Sequence, residues 1–421
     1  MSLLKKSKKI KVPVAKLVPG LYVDLELSWN KHPFLFSRFK IKTQQEVDII
    51  QGLDLQEVTV IPSKSDAKVP AADKQQAPVQ VASEEQLWQE KEAKVQEAAQ
   101  YRRRRSELAK RYKETVKKVK RLTQDLNVSP ANAMRDAAEV VDEMAKAFES
   151  DGDILINLIN ISPDDYSFYN HALNTTVLAM LVGRSLGIKG EQLRDLGIGA
   201  MLHDVGKALL PSAVVMKRGP LTKAEKSLLQ THTIAGVKLA SKVHDLSKDA
   251  KAIIAQHHEF LDGSGYPQGL KGEAINNNAK IVAITNIYDN LCNPPNPDNA
   301  LPPKAVMAIL FAKYKGKLDG TLVQRFITNM GVYPPGTVVR LSDDSIGLVT
   351  AINAKALLKP QVLLYSPDIP RREALSIDLA EQDEISITDV LKPEDYDKRI
   401  YDYLGIKERV GYFFEMIDMN R

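Results

Sequence analysis

The sequence is poor in cysteine and has no long hydrophobic run. Its single cysteine, Cys292, excludes an intrachain disulfide and favours a reducing compartment. No apolar run approaches the roughly 18 residues that a membrane-spanning helix needs. The first residues, MSLLKKSKKIKV, carry positive charge but lack the apolar core of a signal peptide. We therefore expect a cytoplasmic protein without a membrane span.

Excess charge is also scarce outside one segment. The chain has 58 Lys or Arg residues against 53 Asp or Glu residues, and residues 84–125 alone have 13 against 8, which is the same surplus of five. The remainder is neutral, which argues against a nucleic-acid-binding face on the globular part. Within the basic segment, the run Arg102–Arg105 is interpreted as a solvated helix face, with contact to an acidic partner or nucleic acid as the alternative.

Length and composition favour two or three soluble domains, since the 421 residues are 44% hydrophobic and 26% charged. Residues 1–62 alternate like strands around a helical stretch and predict a small α/β unit. Residues 63–83 are rich in Lys, Ala, Pro and Gln without any period, which is typical of a flexible linker.

Residues 84–126 have the composition of one long helix. Apolar residues recur on it every three or four positions and form a seam. The seam consists of Leu108, Tyr112, Val116, Val119, Leu122 and Leu126. It predicts either pairing with a second copy, which would make a homodimer, or docking on the next domain.

Helical periodicity dominates from Ser129-Pro130, a good helix start, to about Met330. After Gly331 short strands alternate with turns, and a charged helix is predicted from Glu394 onward. The predicted helices cover residues 131–149, 153–161, 165–186, 191–210, 222–243 and 248–259.

Five of the chain's seven histidines belong to compact polar motifs between residues 171 and 258. His203 and Asp204 are adjacent near the end of an apolar helix. His257 and His258, about 100° apart on a predicted helix, would reach one cavity only if it lay between them, as a two-metal site does. Neutral imidazoles with a bridging carboxylate suit Fe, Mn, Zn or Ni and hardly suit Ca. A satisfied core position is plausible for any one of these histidines alone, but five of them in one helical domain favour a metal site.

These motifs resemble the HD-GYP subgroup of the HD metal-dependent phosphohydrolases. The resemblance covers about Pro130 to Tyr333 and rests on His171, HDVGK at 203–207, HTIAG at 232–236, HHE at 257–259 and DGSGYP at 262–267. The segment KIKVPVAKLVPGLYVDLELSW is similar to a small domain that often precedes HD-GYP domains. The implied fold is mainly α: an HD-type helical core over 127–333, the α/β unit and long helix before it, and a β-rich appendix with a terminal helix over 334–421.

The resemblance implies a phosphodiesterase that opens cyclic di-GMP to linear pGpG and, in some members, to GMP. It implies two divalent metals, with Fe or Mn favoured and Ni, Zn or Mg as alternatives, and diguanylate cyclases as protein partners. Two metals would activate a water for attack on phosphorus. The implied ligands of one metal are His171, His203 and Asp204, and those of the other are Asp204, His232, His257 and His258.

The resemblance also implies substrate contacts. Lys207 would place positive charge against the phosphate. Gly263, Gly265 and Pro267 would shape a loop that approaches the ligand closely, and Tyr266 would supply a ring for guanine stacking or a hydroxyl.

The sequence departs from the family pattern at three places. Ser167 stands where some members have a glutamate that recruits a third metal, so two metals are expected. Asn286 stands where the family has a late metal-ligand aspartate, and an amide oxygen brings no charge. A basic pair usual after it is absent, and Lys304 is a candidate substitute. Two alternatives follow: a degenerate domain that binds the dinucleotide or a protein without turnover, and a phosphodiesterase for cyclic GMP-AMP.

Overall fold

A computed structural model describes residues 9–27, 31–34, 36–68, 84–126, 128–149, 153–161, 167–353, 356–382, 385–406 and 409–417. Most of the predicted linker, residues 69–83, lies outside the described residues. Among the described helices, none combines the length and the apolar character that crossing a bilayer requires.

The amino-terminal part is a small α/β unit with its own core. Its four strands form an antiparallel sheet in the order β1-β4-β2-β3. Thr43 and Glu46 form a capping box that begins its helix. The elements are β1 (Ile10–Pro13), β2 (Tyr22–Asp24), β3 (Arg38–Lys40), α1 (Gln44–Gly52) and β4 (Glu57–Val60).

The long helix α2 (Glu84–Asp125) is continuous over 42 residues, and α3 (Pro130–Glu149) follows it. Five of the six residues of its predicted seam are buried in the main core, and Val116 packs against that core. Of the two predicted alternatives, the structure therefore shows docking on the following domain. This docking covers the seam from within the same chain.

The arginine run on α2 is only partly a solvated face. Arg102 Nη1 donates to the carbonyl oxygen of Ala374 at 3.3 Å, and Arg105 Nη2 donates to that of Leu158 at 3.0 Å. Arg103 and Arg104 are exposed, as the solvated-face interpretation expects. Two arginines of the run thus fasten the helix to the rest of the chain.

Helices make up most of the region between β5 (Asp153–Ile161) and Met330, as predicted, but three of the predicted helices are shorter or divided. The helix predicted over 248–259 ends at Gln256. The helix predicted over 191–210 ends at Leu202 and continues as a 3-10 helix, Val205–Leu209, and the one predicted over 222–243 breaks between Gln230 and His232. The helices are α4 (Phe168–Ser185), α5 (Gly190–Leu202), α6 (Ser212–Val215), α7 (Lys223–Gln230), α8 (His232–Ala240), α9 (Lys248–Gln256), α10 (Asn277–Cys292), α11 (Pro303–Lys313) and α12 (Gly320–Met330).

The strands of the carboxy-terminal part form, together with β5, a second sheet of seven strands. It runs β10-β6-β7-β5-β11, with β8 paired to β7 and β9 paired to β8. The remaining elements are β6 (Val338–Leu341), β7 (Ile346–Asn353), β8 (Gln361–Leu364), β9 (Ser376–Asp378), β10 (Ile387–Val390), α13 (Lys398–Leu404) and β11 (Arg409–Ile417).

This sheet corrects two predictions. Residues 153–161 form a strand and not a helix, and all nine of them pair antiparallel with β11. The terminal helix ends at Leu404, and the last described element is the strand β11. A short apolar run such as DILINLINI fits both a buried helix and a buried strand, and its β-branched isoleucines favour the strand. Its partner is about 250 residues away in sequence, where no local pattern reports it.

The fold is mainly α with two small sheets, which confirms the predicted class. One buried cluster joins the second half of α2, the helices α3–α5 and α8–α12, and the inner face of the seven-stranded sheet. The described strands after residue 334 are therefore packed into the same core as the helices. The boundary predicted at 333/334 stays a prediction.

Candidate metal centre

The predicted ligands lie at the ends of four helices. His171 is on the first turn of α4, and His232 is the first residue of α8. His203 follows α5 directly. His257 and His258 follow the end of α9, so the prediction that they lie on one helix is wrong. All four of these ring systems are buried. The breaks in the predicted helices are thus the places where the histidines enter a common interior site.

Asp204 lies between two groups of imidazoles. Its Oδ2 is 3.5 Å from His171 Nε2 and 3.4 Å from His203 Nε2. Its Oδ1 is 3.1 Å from His232 Nε2 and 3.7 Å from His257 Nε2. One carboxylate therefore presents one oxygen to each side.

We call His171, His203 and Asp204 the first ligand group. The second ligand group is Asp204, His232, His257 and His258. Within each group the candidate ligand atoms lie within 4.8 Å of one another. The ligand sets implied by the motifs thus come together in space with Asp204 in both.

The imidazoles are held with Nε2 pointing into the site. In three of them Nδ1 donates to a main-chain carbonyl oxygen three residues earlier. These bonds join His203 to Ala200 at 2.6 Å, His232 to Leu229 at 2.6 Å and His257 to Ile254 at 3.1 Å. A carbonyl oxygen only accepts, so Nδ1 carries the hydrogen and Nε2 of the neutral ring keeps its lone pair. This is the tautomer that binds a metal through Nε2.

The lone pairs face one another in pairs. His203 Nε2 is 3.2 Å from His171 Nε2, and His232 Nε2 is 3.2 Å from His257 Nε2. Two unprotonated nitrogens cannot hydrogen-bond, but two adjacent ligands of one metal, each about 2.1 Å from it, lie roughly 3.0 to 3.4 Å apart. Asp204 Oδ1 is buried and accepts no hydrogen bond. The donor set therefore fits two metal ions.

The ionisation states agree with this fit. Burial raises the pKa of Asp204, but the Lys207 ammonium and the His203 ring outweigh burial and hold that pKa well below its usual range. Burial lowers the pKa of His203, lowers that of His257 to about 3, and holds that of His258 well below its usual range. An ionised carboxylate and neutral imidazoles are the forms that bind a divalent metal.

Asn286 lies at the first ligand group. Its Oδ1 is 3.0 Å from His171 Nε2 and accepts a hydrogen bond of 2.6 Å from Asn290 Nδ2. Its Nδ2 is buried without a hydrogen-bond partner. The amide oxygen therefore faces the first group, at the position where the family pattern has a carboxylate.

The glycine-rich loop packs directly on the second group. The Tyr266 ring stacks on His258 with centroids 4.5 Å apart and an interplanar angle of 19°, and its peptide N–H donates to the His258 carbonyl at 3.2 Å. Gly265 is required by contact, because a Cβ there would lie 2.4 Å from Phe260 N. Gly263 has φ of +81°, and the Tyr266–Pro267 peptide is cis. One face of the Tyr266 ring is thus already covered by a ligand residue.

Comparison with known proteins identifies two segments. A model described as "HD domain" matches residues 153–322, and a model described as "Domain of unknown function" matches residues 9–137. The first match contains every ligand of both groups. The chain carries an HD domain. The second match spans the α/β unit, α2 and the start of α3, so the HD domain is preceded by the small domain that the motifs led us to expect.

Curated relatives support the HD-GYP resemblance, which is confirmed. A cyclic di-GMP phosphodiesterase of Pseudomonas aeruginosa is 27% identical over 84% of this chain and 84% of its own length. A cyclic di-GMP phosphodiesterase response regulator of Xanthomonas campestris pv. campestris is 39% identical over 34% of this chain and 37% of its own length. A 3'3'-cGAMP-specific phosphodiesterase of Vibrio cholerae is 28% identical over 39% of this chain and 38% of its own length.

Two residues that sequence reasoning left without a role support the HD-domain site. Glu259, third residue of HHE, is buried and accepts hydrogen bonds from the peptide N–H groups of Gln268 at 2.7 Å and Leu270 at 3.0 Å, so it anchors the glycine-rich loop. Asp289 is fully buried and accepts from His171 Nδ1 at 2.7 Å. Its position three residues after Asn286 on α10 was the available signal, because residues i and i+3 share one face of a helix.

The structure also shows the contacts of three further residues that the sequence analysis singled out. Lys207 Nζ donates to Asp204 Oδ2, beside the ligand that both groups share. Lys304 lies over the Tyr333 ring at 5.6 Å from its centroid, a contact outside both ligand groups. Ser167 Oγ donates to Asn170 Oδ1 at 2.8 Å and adds no carboxylate near His171. The described residues therefore present two groups of candidate ligands and no third one.

Proposed function

We propose that this chain is a two-metal phosphodiesterase that hydrolyses cyclic di-GMP to pGpG and, by a second cleavage, to GMP. The observation that carries the proposal is Asp204, whose two oxygens face two separate groups of buried imidazoles. The activity is the one named for the Pseudomonas and Xanthomonas relatives.

In this proposal His171, His203, Asp204 and the Asn286 oxygen hold one metal, and Asp204, His232, His257 and His258 hold the other. Two divalent metals supply Lewis acidity, which lowers the pKa of water toward 7 and polarises phosphate oxygens. A nitrogen-rich set with one carboxylate favours Fe or Mn, with Ni, Zn and Mg as alternatives.

The other roles belong to residues around the ligands. Lys207 stabilises negative charge on the phosphate, because its ammonium lies beside Asp204 at the site. Burial raises the pKa of Tyr266 well above its usual range, so its hydroxyl stays protonated and donates a hydrogen bond to the dinucleotide. Gly263, Gly265 and Pro267 let the loop backbone approach that ligand.

Two alternatives have an observation in their favour. The neutral amide of Asn286 at the first group favours a receptor that binds the dinucleotide without turnover. The similarity to the Vibrio cholerae cGAMP-specific enzyme favours cyclic GMP-AMP as substrate. A cytoplasmic location, a homodimer and diguanylate cyclases as partners belong to the proposal, and since the seam of α2 is covered, a homodimer would use another face of that helix.

One experiment separates these functions. The purified full-length chain is analysed for Fe, Mn, Ni and Zn, and is then incubated with cyclic di-GMP and, separately, with cyclic GMP-AMP while linear products are quantified. About two metals per chain and faster opening of cyclic di-GMP support the proposal. Faster opening of cyclic GMP-AMP favours the second alternative. Binding of either dinucleotide without product favours the receptor, and metal-free protein with full activity contradicts the two-metal site.

A further inference from the structure

A buried hydrogen-bond chain leads from the long helix α2 to the first ligand group. Tyr112 Oη on α2 donates to Asn174 Oδ1 at 2.9 Å, and Asn174 Nδ2 donates to Asp289 Oδ1 at 2.8 Å. The other oxygen of Asp289 accepts from His171 Nδ1 at 2.7 Å. Each of these four residues is at most 5% exposed, so water does not compete for the bonds.

The Asn174 amide has only one orientation available. Its Oδ1 also accepts from the peptide N–H of Tyr412 at 3.1 Å, and its Nδ2 also donates to the carbonyl of Val410 at 3.2 Å. A peptide N–H only donates and a carbonyl only accepts, so β11 decides which end of the amide faces Tyr112 and which faces Asp289. All four hydrogen-bonding capacities of the amide are then used.

The carboxylate of Asp289 is held from a second side. Asn293 Nδ2 donates to Asp289 Oδ1 at 2.9 Å and to the Val410 carbonyl at 2.8 Å, and Asn293 Oδ1 accepts from the Val410 peptide N–H at 3.1 Å. The strand β11 is therefore bound by two asparagines that both contact Asp289. A displacement of β11 or of Tyr112 therefore removes a bond to an asparagine that holds Asp289, the residue that orients His171.

The close approach of α2 and β11 is built into the sequence. A Cβ at Gly411 would lie 2.9 Å from Cζ of Tyr112, so glycine leaves the room that the phenol ring occupies. Tyr112 also contacts the Phe413 ring edge to face, with centroids 5.9 Å apart. The ring thus cannot shift without disturbing β11.

We propose that Tyr112 and Asn174 are positioning residues that couple the long helix α2 to metal binding at the first ligand group. The inference rests on the proposed function, since it requires His171 to be a metal ligand. Asp289 determines the tautomer and the direction of the His171 ring, Asn174 and Asn293 hold the Asp289 carboxylate, and Tyr112 and β11 together hold the Asn174 amide. A change in the position of α2, which carries the amino-terminal α/β unit, would alter the affinity of the first group and leave the second group unaffected.

The test is a titration of the full-length, metal-stripped chain with Mn²⁺ alone, with free Mn²⁺ measured by its paramagnetic resonance signal. Partners of metal ligands typically contribute 10- to 100-fold to metal affinity. Tyr112 is connected to Asp289 indirectly, through Asn174. Tyr112→Phe is therefore expected to weaken one of two Mn²⁺ binding steps by about 3- to 10-fold. Asn174→Ala is expected to weaken the same step by about 10-fold or more.

Tyr101→Phe is the matched control. Tyr101 is on the same helix, is 9% exposed, and its hydroxyl bonds Thr350 Oγ1 at 2.6 Å, away from both ligand groups. It should change neither binding step. In an Asp289→Asn background, Tyr112→Phe should have less than about a twofold further effect, because coupled residues are not additive.

The outcomes are distinct. Two Mn²⁺ ions bound by the wild type, with Tyr112→Phe unchanged or with Tyr101→Phe equally weakened, would overturn the coupling and leave the proposed function intact. The same would follow if Tyr112→Phe weakened both binding steps equally. A wild type that binds no Mn²⁺ and no other divalent metal would overturn the proposed function, and the coupling with it.

Discussion

The two ligand groups differ in where their support comes from. In the second group, His232 and His257 are oriented by carbonyls of Leu229 and Ile254, three residues earlier in the chain. In the first group, His171 is oriented by Asp289, 118 residues later, which is held in turn by α2 and β11.

Neither group has a carboxylate beyond the shared Asp204, and the first group adds the neutral amide of Asn286. Asn286 brings an uncharged oxygen where a carboxylate would offset the charge of a bound cation. The comparison teaches that His203, His232 and His257 are held by carbonyls three residues earlier in the chain, whereas His171 depends on distant elements. His171 is therefore the place where the affinity of the first group can be adjusted.

The largest effect is expected from removing what the groups share. Asp204→Ala deletes the oxygen that faces each group, so both metals should be lost and hydrolysis of cyclic di-GMP should fall below detection. Metal per chain and product formation are measured, and circular dichroism checks that the fold remains. His244→Ala, at an exposed histidine outside both groups, is the control. A variant that kept one metal at full affinity would show that the groups do not depend on a common ligand.

Asn286→Asp should strengthen metal binding at the first group. A carboxylate at this position adds charge to the first group only, so that group should bind metal more tightly and turnover should rise by about 10-fold or more. Asn277→Asp adds the same charge to the exposed first turn of the same helix and should change neither quantity. Fast turnover by the wild type, with no gain in the variant, would mean that Asn286 does not limit the enzyme.

Gly206→Ala should damage the second group in preference to the first. An added Cβ would lie 1.9 Å from the carbonyl oxygen of His232, so α8 must move away from the 3-10 helix. Overpacking of this kind typically costs about 1 to 3 kcal/mol of unfolding free energy. Denaturant unfolding and metal titration are the measurements. Gly320→Ala is the control because a Cβ there meets nothing within 4 Å, and equal losses in both variants would contradict the argument.

The last expected effect is a loss of stability of the metal-free chain in acid. Burial lowers the pKa of His257 to about 3 in the folded chain, whereas the unfolded value is about 6.5. The unfolded state therefore takes up a proton first, and the metal-free chain should lose stability as pH falls from about 6.5 toward 3. Urea unfolding at several pH values measures this slope. His257→Asn should flatten it and His244→Asn, at an exposed position, should not; identical slopes in all three chains would refute the assignment.

Much of the site was predictable because its ligands are concentrated in short motifs. HDVGK, HHE and DGSGYP brought His203, Asp204, His257, His258 and the loop residues to notice, and the helical class followed from periodicity. The sequence did not predict that the helices break at His203, His232 and His257, because capping and tertiary contact rather than periodicity end those helices. It also did not predict the strand 153–161, whose partner is distant.

By itself the sequence determined the mainly helical class and the seam of α2, since both depend on periods of three to four residues, and its motifs indicated the candidate ligands through a family resemblance. Only the tertiary structure decided that the two oxygens of Asp204 face two different groups and that the seam docks within its own chain. It also decided that Asp289, Asn174 and Tyr112 are linked to His171 by successive hydrogen bonds. Most of those relations join residues about 30 to 240 positions apart, and no local pattern encodes a contact across such a separation.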